Sequence, residues 1–324
     1  MFAFRFTCLF LALMIDRVIG DPHWLWSRLP HPVVAFGKVI DFFDHHLNIK
    51  GNTPQKLKLA GAISIVLALT SAFLVGYALG SLFWTLGLLG LVLEAIVVSV
   101  FLAQKSLADH VRAVADALED EGLEAGRRAV SMIVGRDPNV LDEAAVSRAA
   151  IESLAENFSD GIAAPVFWYV VLGLPGLLAY KMLNTADSMI GHRNDKYLHF
   201  GWASARLDDL ANWLPARLSI LAIAFGALTT GKGAMASLLT ALRDHRIHRS
   251  PNAGSPEGAM AGALGIRLAG PRIYGGERVD EPFINAEGRD GASPGDIRSG
   301  LRVFGGACSI LSIAAGVLAL ITLL

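Results

Sequence analysis

The segment at 149–161 has the spacing of acidic residues that best fits a catalytic or metal site. Glu152, Glu156 and Asp160 recur at intervals of four, so they share one face of a helix if the helix continues that far. Like charges at this spacing cost roughly 0.2–0.5 kcal/mol on an isolated helix, and a cation opposite them would offset that cost. Mg²⁺ binds a few carboxylates together with substrate phosphate. The row therefore predicts a magnesium and phosphate site, with a solvated helix face as the alternative.

A second polar cluster occupies 184–197, directly after an apolar segment. Asn184, Asp187 and Ser188 would share a helical face. Arg193 could hold a phosphate or a carboxylate through two parallel hydrogen bonds. The alternative is that Asp187 and Arg193 only satisfy each other.

A third cluster stands at the start of the next apolar segment. It consists of Arg206, Asp208, Asp209 and Asn212. Ionisable residues at a membrane boundary are functional candidates, although they could also anchor the helix at the interface together with Trp213.

The fourth cluster is basic and leads into a turn. Its members are His245, Arg246, His248, Arg249, Ser250 and Asn252. Ser255 followed by Pro256 predicts the cap and first residue of a helix, and the backbone N–H groups of such a start could hold an anion.

One apparent nucleotide motif fails. Residues 226–233 match the spacing of a phosphate-binding P-loop as far as Lys232, but Gly233 replaces the Ser or Thr that would hold Mg²⁺. The segment also follows an apolar helix rather than a strand, so no P-loop is predicted.

Composition indicates the kind of scaffold that must position these clusters. Hydrophobic residues make up 53% of the 324 and charged residues 18%, against about a quarter charged in soluble domains. The net charge of −1 argues against a nucleic-acid partner. Cys8 and Cys308 lie far apart in apolar stretches, which favours packing over a disulfide or metal site. We expect an all-α, polytopic membrane helical bundle.

Hydropathy predicts one integral membrane domain over residues 1–324. The expected membrane segments are about 2–19, 57–80, 82–103, 161–183, 210–230 and 303–324. Between them we expect amphipathic extramembrane helices at 104–160 and a Gly/Pro-rich polar loop region at 231–302. Pro165 and the 173–176 break interrupt the fourth segment, and broken helices at membrane depth line enclosed cavities. One helix is predicted to begin at Asp137-Pro138 and run through Glu152 towards Asn157.

Basic residues indicate orientation. The polar stretch at 230–302 carries ten Lys and Arg and the stretch at 184–209 carries three. The positive-inside rule places the three richest polar stretches in the cytoplasm. The stretch at 184–209 then faces outward unless the segment at 161–183 dips into the membrane and returns.

Several long motifs occur together in one order. They are Gly20-Asp21-Pro22, His31-Pro32-Val33, Gly135-Arg136-Asp137, 152–165, 184–193, 200–209, Asn212-Trp213 with Pro215-Ala216-Arg217, 250–254 and 258–265. In these motifs the chain resembles the CobD/CbiB family of cobalamin (vitamin B12) biosynthesis, adenosylcobinamide-phosphate synthase.

The resemblance implies a ligase of the cell (inner) membrane. Such an enzyme attaches aminopropanol or its O-phosphate to the propionate carboxyl of adenosylcobyric acid, giving adenosylcobinamide or its phosphate. ATP and Mg²⁺ are implied, although no nucleotide motif is recognisable. The implied partners are the corrinoid, the aminopropanol substrate, the lipid bilayer and other membrane enzymes of the pathway.

The resemblance also suggests roles for the clustered residues. Metal and base functions would fall to Glu152, Glu156, Asp160 and Asp187, with magnesium on Glu152, Glu156 and Asp187. Substrate would be bound by Asn157, Asn184, Ser188, Arg193, Arg206, Asp208, Asp209, Asn212, Arg249, Ser250 and Asn252. The rival function is a membrane transporter or sensor for a corrinoid or other anion, which broken helices and intramembrane charge would also fit.

Overall fold

The computed structural model describes residues 2–134, 138–274 and 277–324 and is almost entirely helical. The helices are α1 (Phe2–Val18), α2 (His23–Trp26), α3 (Pro32–Leu47), α4 (Pro54–Thr85), α5 (Gly87–Val100), α6 (Gln104–Asp120), α7 (Leu123–Val130), α8 (Glu143–Phe158), α9 (Ala164–Leu172), α10 (Leu174–Ile190), α11 (Trp202–Ala211), α12 (Trp213–Thr229), α13 (Ala234–Asp244), α14 (Gly254–Leu264) and α15 (Pro294–Leu323). Two short antiparallel pairs of strands join β1 (Leu268–Ala269) to β4 (Phe283–Ile284) and β2 (Arg272–Tyr274) to β3 (Glu277–Val279). The motif Gly135-Arg136-Asp137 lies outside the described residues.

The chain divides into two compact units. Unit 1 comprises Met1–Leu102, Ala164–Asn212 and Leu318–Leu324, and unit 2 comprises Ala103–Ala163 and Trp213–Val317. Each unit takes segments that are distant in sequence, and each contains two or more of the polar clusters.

Three stretches of the described chain are long and apolar enough to cross a membrane, which confirms the expected all-α membrane architecture. They are Pro54–Thr85, Gly87–Asp120 and Pro294–Leu323, and a fourth arises if α11 and α12 count as one broken span. The three overlap the segments expected at 57–80, 82–103 and 303–324. Large apolar side chains on α4 such as Leu59, Val66 and Leu74 are exposed, as expected for residues that face lipid.

The segment expected at 161–183 is broken and folds back on itself. Gly173 has a φ of 73°, in the region that favours glycine. A Cβ on Gly176 would lie 2.6 Å from the carbonyl oxygen of Trp168, whereas eight residues of straight helix rise about 12 Å. The Arg5 guanidinium donates to the Val170 and Val171 carbonyls at 2.8 and 3.2 Å, which satisfies groups that the end of α9 leaves open.

The fold-back favours the alternative in which this segment dips into the membrane and returns. The nine residues of α9 rise only about 14 Å, and a bilayer core is about 30 Å thick. If the bent α11–α12 pair is re-entrant as well rather than one broken span, only α4, α5 and α15 cross fully after the first helix, and all the long basic stretches share one side. The positive-inside rule is then satisfied by every stretch.

One amphipathic helix begins later than its cap signal predicts. The helix expected from Asp137-Pro138 starts instead at Glu143, because the Asp142 carboxylate accepts from the Ala145 N–H at 2.7 Å. Only a single 3₁₀ turn occupies Pro138–Val140. The expected start is therefore wrong by five residues, since two Asp residues offer similar caps and the tertiary structure selects the second.

The sequence suggests that the polar region at 231–302 is mostly loop. The structure instead places α13, α14 and the first turns of α15 there. Every residue of α14 up to Ala263 is buried. A Cβ on Gly262 would lie 2.3 Å from the Ala236 carbonyl oxygen, so small residues let α14 pack closely on α13. A helix buried on all sides shows no apolar stripe, which explains the missing periodicity.

The start of α14 also differs from the expectation. Its N-cap is Ala253, and Ser255 lies inside the helix. The hydroxyl of Ser250 accepts from the N–H groups of Asn252 and Ala253, each at 3.3 Å. Ser250 thus fixes the loop just before α14, and the N-cap residue Ala253 has no side chain that can accept a hydrogen bond.

Unit 2 depends on a close contact between α12 and α15. A Cβ added to Gly226 would lie 2.1 Å from the Val303 carbonyl oxygen and 2.8 Å from the Ala307 nitrogen. A Cβ at Gly305, on the same helix as Val303, would meet nothing within 4 Å. Gly226, the first residue of the P-loop-like spacing in the sequence, is therefore a packing residue.

We expect Asp195, in the polar stretch after α10, to face the cytoplasm. An Asp195→Cys reporter should resist a membrane-impermeant thiol reagent in intact cells and react after permeabilisation. Both native cysteines are buried and provide a low background. Leu88→Cys, at the α4–α5 turn, should react in intact cells. Labelling of Asp195→Cys without permeabilisation would contradict the fold-back topology.

We expect Gly226→Ala to destabilise the protein by roughly 1–3 kcal/mol, because overpacking forces backbone to shift. Gly305→Ala is the matched control, since it adds the same methyl group to open space. The measurement is the midpoint temperature at which the detergent-solubilised protein loses its monodisperse elution peak. Equal midpoints for the two variants would show that the α12–α15 contact is not tight.

Candidate functional site

The centre of the site in unit 1 is a buried carboxyl. Asp208, on α11, is 9% exposed. Its Oδ2 accepts from Asn212 Nδ2 at 2.9 Å, and Asn212 Oδ1 accepts from the Tyr180 hydroxyl at 2.8 Å. Oδ1 of Asp208 is buried with no hydrogen-bond partner among the residues that the structure describes. An unpaired buried acceptor is costly, so this oxygen is a strong candidate to bind a ligand.

A second helix brings Asp187 to the same cluster. Burial raises the pKa of the Asp187 carboxyl, the negative charge of Asp209 raises it further, and His192 lowers it. The amide of Asn184, one turn earlier on α10, is close enough to Asp208 to stabilise its charged form, although it makes no well-formed hydrogen bond to Oδ1. Three carboxyl groups and one amide from α10 and α11 therefore act on each other.

Glycine makes room for this arrangement. Gly191 follows α10, and a Cβ there would lie 2.0 Å from Asp187 Oδ1. A Cβ on Gly201 would lie 1.6 Å from the Ile190 carbonyl oxygen, so the chain between α10 and α11 also requires a residue without a side chain. These contacts fix how α10 and α11 present their polar residues.

Two exposed arginines interact with the acidic cluster. Arg206 and Arg193 are both exposed, and both interact electrostatically with Asp209. Ser188 is exposed and donates its hydroxyl to the Asn184 carbonyl at 2.9 Å. The site thus combines buried acids with accessible cations.

The structure brings together the predicted residues of the second and third clusters. They are Asn184, Asp187, Asp208, Asp209 and Asn212, with Arg193 and Arg206 beside them. Sequence analysis missed Tyr180, which lies 32 positions before its partner Asn212. A tyrosine in an apolar helix has no local signal that separates this contact from simple packing.

In unit 2, Glu152 is buried and its Oε1 accepts from the Ala269 N–H at 2.7 Å. Ala269 has a φ of 57°, an uncommon conformation for a residue with a side chain. One oxygen of Glu152 is therefore engaged in holding this backbone. Its predicted metal and catalytic roles stay predictions.

The acidic row of the first cluster is interrupted. Glu156 lies on α8, but Asp160 falls in a π-helical turn over Ser159–Ala163. The wider turn shifts Asp160 away from the strict interval of four, and such turns are frequent at functional sites. Glu156 and Asp160 are both half-buried.

A cavity of about 470 Å³ in unit 2 lies beside this turn. Its polar lining residues are Ser106, His110, Ser153 and Asn157. Asn157 Nδ2 donates to the Ser153 carbonyl at 2.9 Å and to its hydroxyl oxygen at 3.2 Å. Asn157 is exposed at the cavity, so its predicted contact with substrate is compatible with these bonds.

The fourth cluster also belongs to unit 2. Asn252 is buried, and its Oδ1 accepts from Arg217 Nη1 at 2.9 Å. The Ser250 hydroxyl accepts from the N–H groups of Asn252 and Ala253, in the loop before α14. Arg249 is exposed and its Nε lies 3.8 Å from Glu281 Oε1. Asn252 and Ser250 thus already have partners that fix the loop.

Within the described ranges, no group of three or more His, Cys, Asp or Glu side chains is arranged to hold a metal ion. Mg²⁺ is commonly held by one or two carboxylates, with water and substrate phosphate completing its shell. The unpaired Oδ1 of Asp208 and the nearby Asp187 carboxyl fit that more limited requirement.

Comparison with known proteins extends over nearly the whole chain. The family model for the CobD/Cbib protein matches residues 9–304. The cobalamin biosynthesis protein CobD of Sinorhizobium sp is 64% identical over 305 residues, covering 93% of this chain and 94% of that protein. The protein of that name from Rhizobium meliloti (strain 1021) is 60% identical over 318 residues, or 98% of this chain and 97% of that protein.

A more distant relative, the cobalamin biosynthesis protein CobD of Rhodobacter capsulatus, is 45% identical over 311 residues and 96% of both chains. No solved structure matches. Because the family model and these relatives each cover most of the sequence, this chain belongs to the CobD/Cbib family.

Proposed function

We propose that this protein is the ligase that attaches aminopropanol, or its O-phosphate, to the propionate carboxyl of adenosylcobyric acid. The product is adenosylcobinamide or its phosphate, and the enzyme works as a multi-pass protein of the cell (inner) membrane. The observation that supports this most directly is Asp208, a buried acid with one unpaired oxygen beside Asp187. The relatives are named for cobalamin biosynthesis, which supports a reaction of that pathway.

The reaction requires activation of the carboxyl group. An amine does not react with a propionate carboxylate at neutral pH. A carboxylate oxygen must therefore first take a phosphoryl group from ATP, and ADP leaves. The amine then forms the C–N bond and the phosphate leaves. Mg²⁺, when bound, would supply charge neutralisation to the phosphates.

Asp187 suits the role of general base. The amine arrives as an ammonium ion and must lose a proton before it attacks. A base is most effective when its pKa lies near the working pH, and burial raises the pKa of Asp187 in that direction. Asp209 adds negative charge that attracts the ammonium group, whereas burial raises the pKa of Asp208 to about 7, so Asp208 carries only part of a charge at neutral pH.

The remaining roles follow from charge. Arg193 and Arg206 are exposed beside the acids, so they can bind the propionate or a phosphate. The amide of Asn184 can orient substrate, and the buried Asn212, bonded to Asp208 and Tyr180, positions Asp208. In unit 2, the predicted participants are Glu152, Glu156, Asp160, Asn157, Arg249, Ser250 and Asn252.

The direct test uses purified protein in lipid nanodiscs with adenosylcobyric acid, ATP and Mg²⁺. Aminopropanol and its O-phosphate are supplied in separate reactions, and the amide product is identified by mass. A transporter or sensor would give no product in either reaction. Absence of product, in protein that binds the corrinoid, would overturn the ligase assignment.

We expect Asp187→Asn to lower kcat by roughly 10²–10⁴-fold, because that range is typical of losing a general base. Asp208→Asn should also impair turnover, since it replaces the unpaired carboxylate oxygen. Asp41→Asn, at an exposed position on α3, is the control and should retain activity. If Asp187→Asn turned over at the wild-type rate, Asp187 would not be the general base.

The pH profile gives a second test of Asp187. The base acts when deprotonated, so activity should rise with pH through its raised pKa. Asp209→Asn removes a charge that raises this pKa, and the acid limb of kcat/KM should move to lower pH. His192→Ala removes a group that lowers it, and the limb should move to higher pH. Shifts in the same direction, or none, would contradict the assignment.

A further inference from the structure

Unit 2 contains a cavity with an unusually basic lining. Its volume is about 530 Å³, and it is lined by Trp213, Arg217, His245, Arg246, His248, Arg249 and Pro251. No carboxylate appears among the described residues of this lining. Three of the residues are arginines, which remain positively charged at any physiological pH.

Arg217 is held rigidly at one wall. Its Nη1 donates to the Trp213 carbonyl and to Asn252 Oδ1, both at 2.9 Å, and its Nη2 donates to the Pro251 carbonyl at 3.1 Å. The guanidinium also lies 4.9 Å from the centre of the Trp213 ring. These contacts use three of the five donor hydrogens of an arginine.

The loop that carries the other cations is also fixed. The Ser250 N–H donates to His248 Nδ1 at 3.0 Å, and His248 Nε2 lies 3.7 Å from Oε1 of the buried Glu257. Arg246 and Arg249 are exposed. Glu281, at 3.8 Å from Arg249, offsets one of the three arginine charges.

This chemistry suits an anion with several oxygens. Arginine binds phosphate through paired hydrogen bonds. The N–H groups of Asn252 and Ala253, just before α14, are already occupied by Ser250, so the cationic side chains of the lining are the donors that we assign to the anion. The volume exceeds that of a single phosphate and leaves room for what the phosphate is attached to.

We propose that this cavity binds the phosphate groups of a substrate. Arg246 and Arg249 contact the phosphate directly, and Arg217 forms a rigid wall of the cavity. The proposal rests on the proposed function for the use of phosphate-bearing substrates, and it assigns them a place in unit 2. Asn252 acts as a positioning residue, because it holds Arg217.

The test is equilibrium binding of inorganic pyrophosphate and of ATP, measured by calorimetry in a neutral detergent without Mg²⁺. The wild type should bind both, more weakly at high salt. The double variant Arg246→Ala/Arg249→Ala should lose about tenfold or more in affinity, because charge-assisted hydrogen bonds to phosphate are lost. Arg128→Ala, at an exposed arginine of α7, is the matched control and should bind like the wild type.

A second arm separates a soluble phosphate from a lipid headgroup. Pyrophosphate binding is compared in nanodiscs of phosphatidylcholine and of phosphatidylglycerol. Competition by phosphatidylglycerol that depends on the two arginines would identify a lipid phosphate, and no competition would identify a soluble one. Either result supports a phosphate site.

Unchanged affinity in Arg246→Ala/Arg249→Ala, with a monodisperse elution profile, would overturn the proposal. So would failure of the wild type to bind pyrophosphate, ATP or phosphatidylglycerol. These outcomes are independent of amide formation, because the binding assay contains no corrinoid. A protein that binds phosphate through these arginines but makes no amide would refute the proposed ligase and leave the cavity assignment intact.

Discussion

A carboxyl group buried among helices is stable only if hydrogen bonds or nearby charges replace the water it has lost. In unit 1 this constraint applies to Asp208, whose Oδ2 bonds to Asn212, which in turn bonds to Tyr180. The three residues come from α10, α11 and the residue that ends α11. The network therefore holds the elements of the candidate site in one arrangement, and it leaves Oδ1 as the atom that a ligand can satisfy.

The fold-back at Gly173 gives this network its geometry. Because α10 turns back against α9, its last turns carry Asn184 and Asp187 towards α11. Arg5 satisfies carbonyls at the end of α9 that the break leaves without helical partners. The break between α9 and α10 and the buried acid cluster are thus linked through α10.

The long membrane helices could be predicted from the sequence because hydropathy adds up over about twenty residues. Local signals were weaker. Asp137 and Asp142 offered equal caps, and only packing selects Asp142. The buried helix α14 lacks a polar face and so lacks periodicity.

The candidate site was predicted where clusters are contiguous and missed where partners are distant. Asp187, Asp208 and Asp209 were each recognised as polar residues at membrane boundaries, and the structure places them together. The bond between Glu152 and the Ala269 N–H spans 117 positions, and that between Tyr180 and Asn212 spans 32. No spacing rule reaches contacts that depend on how separate helices pack.

The charges of the site match the charges of the proposed reactants. An ammonium nucleophile is drawn to Asp187, Asp208 and Asp209, whereas the propionate and phosphates would be repelled by the same acids. Exposed arginines beside the acids offset that repulsion, since Arg193 and Arg206 both act on Asp209. A site made only of acids would concentrate the amine and exclude its partner. The pairing of buried acids with exposed cations allows both reactants to approach one place, which amide formation requires.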